Sequence, residues 1–215
     1  MKRISLLFAA VVCVTNVISA QSVAYKSKDG FTFLSKTEGQ YFTIDIHGVN
    51  ITPIDPKSSP HPYFNVDGRF LQVLVVRMDE FKGEASKGAE ANLKTYFNYE
   101  KNYWKEKWGE NESGVQKLAS GRAAMVWSFA PSKELREMAI KQGNKTPASS
   151  NEMVSLVSHN YVLTLGSDVS GKDTRKAVRE FLLKIADSFF DSDSPMELKF
   201  FPDGQYERHA EAGTK

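Results

Sequence analysis

The sequence predicts an α+β fold: a curved antiparallel sheet with amphipathic helices packed on it, in a single domain. Three observations point there. Segments with two-residue alternation come in neighbouring pairs, as hairpins do. Two long segments carry helical periodicity, and helices and strands do not alternate strictly as a doubly wound fold requires. No G-x-G-x-x-G follows a strand, so a dinucleotide-binding fold is not expected.

Taken in order, residues 31–34 and 40–46 alternate, with Phe42, Ile44 and Ile46 on one face and Tyr41, Thr43, Asp45 and His47 on the other. They read as half-buried strands. The stretch from Thr52 to Pro62 holds four prolines in eleven residues, which removes hydrogen-bond donors and fixes backbone angles, so a loop is expected. Phe70 to Met78 is apolar on both sides apart from Gln72 and Arg77, the pattern of a central strand covered on both faces. A helix is expected from Ala89 to Trp108, closed by Gly109, with Leu93, Phe97, Trp104 and Trp108 on its buried stripe.

Val115 to Leu118, a Ser120-Gly121 turn and Ala123 to Ala130 read as a hairpin, ended by Pro131. Ser132 is a candidate cap for a short helix from Lys133 to Gln142. After the polar run GNKTPASSNE, Met153–Ser158 and Tyr161–Gly166 form the last expected strand pair, with His159-Asn160 at the turn. Asp173 to Phe190 carries the clearest helical pattern. Val178, Phe181, Leu182, Ile185 and Phe189 make one apolar stripe, and Lys172, Arg175, Lys176, Arg179, Glu180 and Lys184 face away. Met196 to Phe201 offers a short edge strand within a polar tail.

The first twenty residues differ from the rest. Lys2 and Arg3 precede an apolar run from Ile4 to Val17, and Ser19 and Ala20 are small. The run is shorter than the roughly 20 residues a membrane span needs. It reads as a signal peptide cleaved near Ala20, which makes the mature protein secreted or periplasmic with no transmembrane segment. The organisation is then 1–20 signal peptide, 21–190 α+β domain and 191–215 C-terminal tail. The chain carries 28 Lys and Arg against 26 Asp and Glu, so losing Lys2 and Arg3 leaves a net charge of zero. Cleavage also removes Cys13, the only cysteine, and with it disulfides, thiolate metal sites and a Cys nucleophile. Val12 stands where a lipid-attachment signal wants a small residue. A neutral mature chain outside the cytoplasm makes nucleic acid an unexpected partner.

The order of these elements resembles the PsbP-like fold family. The resemblance is carried by a hairpin near the start, the proline loop, the apolar strand, the middle helix and GRAAMVWSF after a hairpin turn. The strand SHNYVLTLGSDV and the final helix KAVREFLLKIADSFF complete it, over roughly residues 31–190. The family includes the extrinsic photosystem subunit, a yeast nuclear-transport factor that binds a small GTPase, and periplasmic proteins of the DcrB type. It implies an α+β fold and a binding or assembly role more often than catalysis, and it carries no site residue over to this chain.

No motif in the chain marks an active site. Asp45 and His47 sit two apart on one strand face, a spacing that could present both to a metal or ligand, but no second His or Glu stands at ligand spacing. No G-x-S-x-G surrounds a serine; Ser120 has only one flanking Gly. Asp187, Asp191 and Asp193 lack the spacing and the bend Gly of a calcium loop. No metal and no cofactor is expected. Asn50, Asn111 and Asn144 stand in glycosylation sequons that matter only in a glycosylating host.

The unusual feature is the middle helix, where Tyr96, Phe97, Tyr99, Tyr103, Trp104 and Trp108 are interleaved with Lys94, Lys101, Lys105 and Lys107. Such a mixture suits stacking, cation–π contact or a membrane surface. Tyr99 and Tyr103, with Tyr96 alongside, are the candidate binding residues. The expected function is that of a non-catalytic binding or assembly protein engaging a protein or cell-envelope component. Two alternatives stand beside it: a secreted hydrolase or metal-dependent enzyme using Asp45 and His47, and a carrier holding an apolar ligand between sheet and helix.

Overall fold

The computed structural model describes residues 21–27, 29–37, 40–54, 61–104, 108–143, 147–192, 196–200 and 206–210. The expected signal peptide, most of the proline run, Asn144 and Asp193 lie outside them. In chain order the strands and helices are β1 (Gln21–Ser27), β2 (Gly30–Thr37), β3 (Gln40–His47), β4 (Ile51–Ile54), β5 (Tyr63–Val66), β6 (Arg69–Arg77), α1 (Ala89–Trp104), β7 (Trp108–Lys117), β8 (Ala123–Pro131), α2 (Lys133–Lys141), β9 (Ser150–Ser158), β10 (Tyr161–Val169), α3 (Arg175–Asp187), β11 (Phe190–Ser192), β12 (Met196–Phe200) and β13 (Tyr206–Ala210).

The α+β class is observed, with one change of plan: the strands divide between two main sheets. A small sheet has the order β1-β2-β3-β11 and a large one β4-β5-β6-β10-β9-β8-β7, antiparallel throughout; β12 and β13 pair with each other alone. The large sheet is covered on both faces. On one face lie the small sheet and α3, joined to it through Phe33, Ile44, Val73, Leu156, Leu165, Leu182 and their neighbours. On the other lies α1, packed over Met125, Trp127, Met153 and Val162. This double covering explains why β6, β9 and β10 are buried on alternate and intervening residues alike.

Local sequence explains most boundaries. Asp67-Gly68, with φ of 51° and 88°, closes the β5–β6 hairpin in the doubly left-handed turn that Asp-Gly favours. At Gly30, φ is 151° and an added Cβ would stand 2.0 Å from the Ile46 carbonyl oxygen, so only glycine opens β2 against β3. The hydroxyls of Ser132 and Thr174 accept from Leu135 N and Ala177 N and cap α2 and α3. Within α3, Val178, Leu182 and Ile185 form the expected buried stripe.

Three expectations are corrected. The middle helix ends at Trp104, not Trp108, and Gly109 lies in β7; Trp108 is already paired with Pro131 across the edge of the large sheet. Thr52-Pro53-Ile54 is strand β4 on the opposite edge, where a proline's missing donor costs nothing. The last helix stops at Asp187, and β11 carries residues of the expected tail into the small sheet beside β3.

Candidate functional site

Helix α1 is fixed at its start by Asn92, whose side chain accepts from Glu84 N at 2.9 Å and donates to the carbonyls of Glu84 at 2.7 Å and Gly88 at 3.0 Å. With Asn92 turned inward, the buried face is set by Leu93 and Tyr96, both fully buried, with Phe97 and Tyr99 half-covered at its flanks. The side chains of Trp104 and Trp108, expected on that stripe, lie outside the described residues.

The three candidate tyrosines therefore separate. Tyr96 stands in the core, its ring 5.3 Å from that of Phe81 and 6.4 Å from that of Trp127. It is withdrawn from any contact surface, because the helix turns it towards the sheet. Burial, with the nearby charge of Glu100, pushes its phenol well above the ordinary range. Its hydroxyl approaches Thr164 and Glu100 without completing a hydrogen bond of full geometry. Tyr99 leans on Phe81 at 6.4 Å and is half-buried. Tyr103, in the last turn, is 46% exposed.

Other apolar groups surface on α2, which follows Pro131, the residue paired with Trp108 at the edge of the large sheet. On α2 only Ala139 is buried, while Met138 and Ile140 are 52% and 57% exposed, with Lys133, Arg136 and Lys141 beside them.

The catalytic alternative finds little support. Asp45 accepts from Thr32 Oγ1 at 2.9 Å and its backbone N–H donates to Ser188 Oγ at 2.8 Å, while His47 is exposed at the strand's end. No group of three or more His, Cys, Asp and Glu able to hold a metal converges among the described residues. Asp187 accepts from Ser120 N at 2.8 Å and Asp191 binds Arg122 at 2.5 Å, so both serve the fold rather than a cation. His159 stands 3.9 Å from Asp191. Burial lowers the pKa of His61. The pocket between the sheets, lined by Tyr41, Phe42, Val75, Tyr161 and Leu163, holds about 10 Å³. An apolar ligand needs roughly 300 Å³, so this space between the sheets takes none.

Two buried polar groups had no motif to announce them. Glu152, fully buried on β9, is held by Arg175 Nε at 2.7 Å and by Arg179 Nη2 at 2.8 Å, both from α3, and Arg175 also reaches Ser128 and Glu112. On the other face, Asn151 Nδ2 donates to Asp168 Oδ1 across β9 and β10. A Glu in an apolar strand and two Arg four apart on a helix were the available signals, 23 and 27 residues distant.

No protein-family model and no curated protein matches the chain. Among solved structures it is similar to the solution structure of cyanobacterial PsbP from Synechocystis sp. PCC 6803, with a TM-score of 0.39 and 10% identity over 82% of this chain and 94% of that one. No helix among the described residues is long and apolar enough to cross a membrane.

Proposed function

We propose that the chain is a secreted or periplasmic binding or assembly protein without catalytic activity, which engages a protein or cell-envelope component through the C-terminal turn of α1. The observation that carries this reading is the exposure of Tyr103, 46%, on a helix whose Tyr96 is spent on the core. Tyr99 flanks it and supports the same surface. Exposed aromatic side chains are favoured contact residues because they bury much area for little lost rotational freedom. The polar groups that could do chemistry are instead engaged in structural pairs: Glu152 with two arginines, Asp45 with Thr32, Asp191 with Arg122. The location follows from the signal peptide read at residues 1–20.

Affinity capture from an envelope fraction, using the mature chain as bait, tests the surface. A partner retained by the unaltered chain is expected to be lost with Tyr103→Ala and weakened with Tyr99→Ala. Equal retention by all three baits overturns the assignment of this surface.

A further inference from the structure

We infer that Asp168 and Asn151 form a proton-operated latch at the end of the large sheet, closed as an acid–amide pair while the Asp168 carboxyl holds its proton and opened by its loss, and that this latch fastens the start of β9 to the end of β10. The inference is independent of the binding surface proposed above.

The geometry supplies the first argument. Asp168 and Asn151 face each other in register on β10 and β9, and Asn151 Nδ2 donates to Asp168 Oδ1. Asn151 is 1% exposed, and its Oδ1 has no hydrogen-bond partner among the described residues. A buried amide oxygen without a donor is costly. The donor it lacks is the one a protonated Asp168 Oδ2 provides, closing a ring of two hydrogen bonds; an ionised Asp168 offers only acceptors. Opening is a plain proton transfer: Oδ2–H yields its proton to water, and the pair keeps one bond.

The surroundings agree. Asp168 as a residue is partly exposed at its strand end, yet its carboxyl is desolvated, and burial raises its pKa to about 7 against the smaller opposing effect of the Asn151 hydrogen bond. No charged neighbour contributes. Across β8 the residue opposite Asn151 is Phe129, and on the β6 side Gln72 stands opposite Gly166. On α1, Glu100 acts on Tyr96, while Glu152, Arg175 and Arg179 occupy the reverse face of the sheet. The charges of α2, Lys133, Glu134, Arg136, Glu137 and Lys141, are solvent-exposed.

What the latch fastens is set by its neighbours. Ser149 N and Ser149 Oγ both donate to Val169 O, at 2.9 Å and 3.1 Å, beside the Asp168–Asn151 pair. Loss of the latch loosens this start of β9.

Hydrogen exchange on the whole mature chain, corrected for the intrinsic pH dependence, reads the effect directly. Peptides spanning 147–151 are expected to lose protection about tenfold between pH 5.5 and 8.5, the scale of one pKa unit of linkage. Asp168→Asn, which keeps a neutral pair at every pH, is expected to abolish that loss; an identical pH response in both chains overturns the latch. Should the variant fail to fold, isotope-edited infrared spectroscopy of the unaltered chain decides. A protonated Asp carboxyl band persisting at pH 6 supports the inference, and its absence at pH 6 overturns it.

Discussion

Tyr96 and Tyr103, seven residues apart on one helix, have opposite fates, and substitution should separate them. Tyr96→Ala removes a fully buried ring that touches Phe81 and Trp127, so a loss of about 3–5 kcal/mol in urea unfolding is expected. Tyr103→Ala should stay within about 0.5 kcal/mol of the unaltered chain. Glu152→Gln leaves Arg175 and Arg179 over a neutral group in a fully buried position. Both arginines reach solvent, at 43% and 35% exposure, and Arg175 keeps Glu112, so a destabilisation of about 1.5–3 kcal/mol is expected by the same measurement. The candidate tyrosines were legible in the sequence as a set but not as a sorted one. Asn92, bonded to the preceding turn, sets the inward face, but Tyr96 and Tyr103, two turns apart, share that face; position along the axis puts Tyr96 over Phe81 and Trp127 and leaves Tyr103 exposed in the last turn. Asp168 carries a pH prediction with a definite sign. Its folded pKa is raised from 3.8 to about 7, so its contribution is fully present below pH 3.8, falls as the unfolded chain alone ionises, and is gone above about pH 7. Three units correspond to roughly 4 kcal/mol as an upper figure. Asp168→Asn should flatten the stability curve between pH 4 and 8 and raise its alkaline end.

Elements were legible where periodicity and burial coincide. The buried stripe of α3 was legible, though not its end, because that stripe faces one core and its charged side faces water, and β6 was legible because a strand with both faces covered needs apolar residues throughout. β7 was misread for the converse reason. It is an edge strand of which only the end from Val115 was expected; Asn111 to Gly114 are all exposed, so hydrophobicity left no trace of its first half, and the register shift between Trp108 and Asn111 breaks what alternation remains. β4 was hidden by Pro53, tolerable only because that strand is also an edge. Gly30 gives a test at this scale. Gly30→Ala would drive a methyl group to 2.0 Å from Ile46 O, and the hairpin cannot adjust without breaking the β2–β3 register. A drop in melting temperature of at least several degrees is expected from calorimetry, whereas Gly121→Ala, which meets nothing within 4 Å, carries only the strain of its φ of 83°.

At the scale of the molecule, α3 is the element that joins the layers. It packs on β9, β10 and β3, sends Arg175 and Arg179 to Glu152, and continues through Ser188, which bonds Asp45 across 143 residues of sequence. Phe189 meets Phe42 at 5.8 Å. A chain ending at Ser170 should show no cooperative unfolding transition by circular dichroism, since both sheets would then expose the apolar faces that α3 covers. The timing of synthesis follows from this. A ribosome releases α3 only after every strand of the large sheet, so a growing chain cannot cover that face of β9 and β10 before α3 itself has emerged.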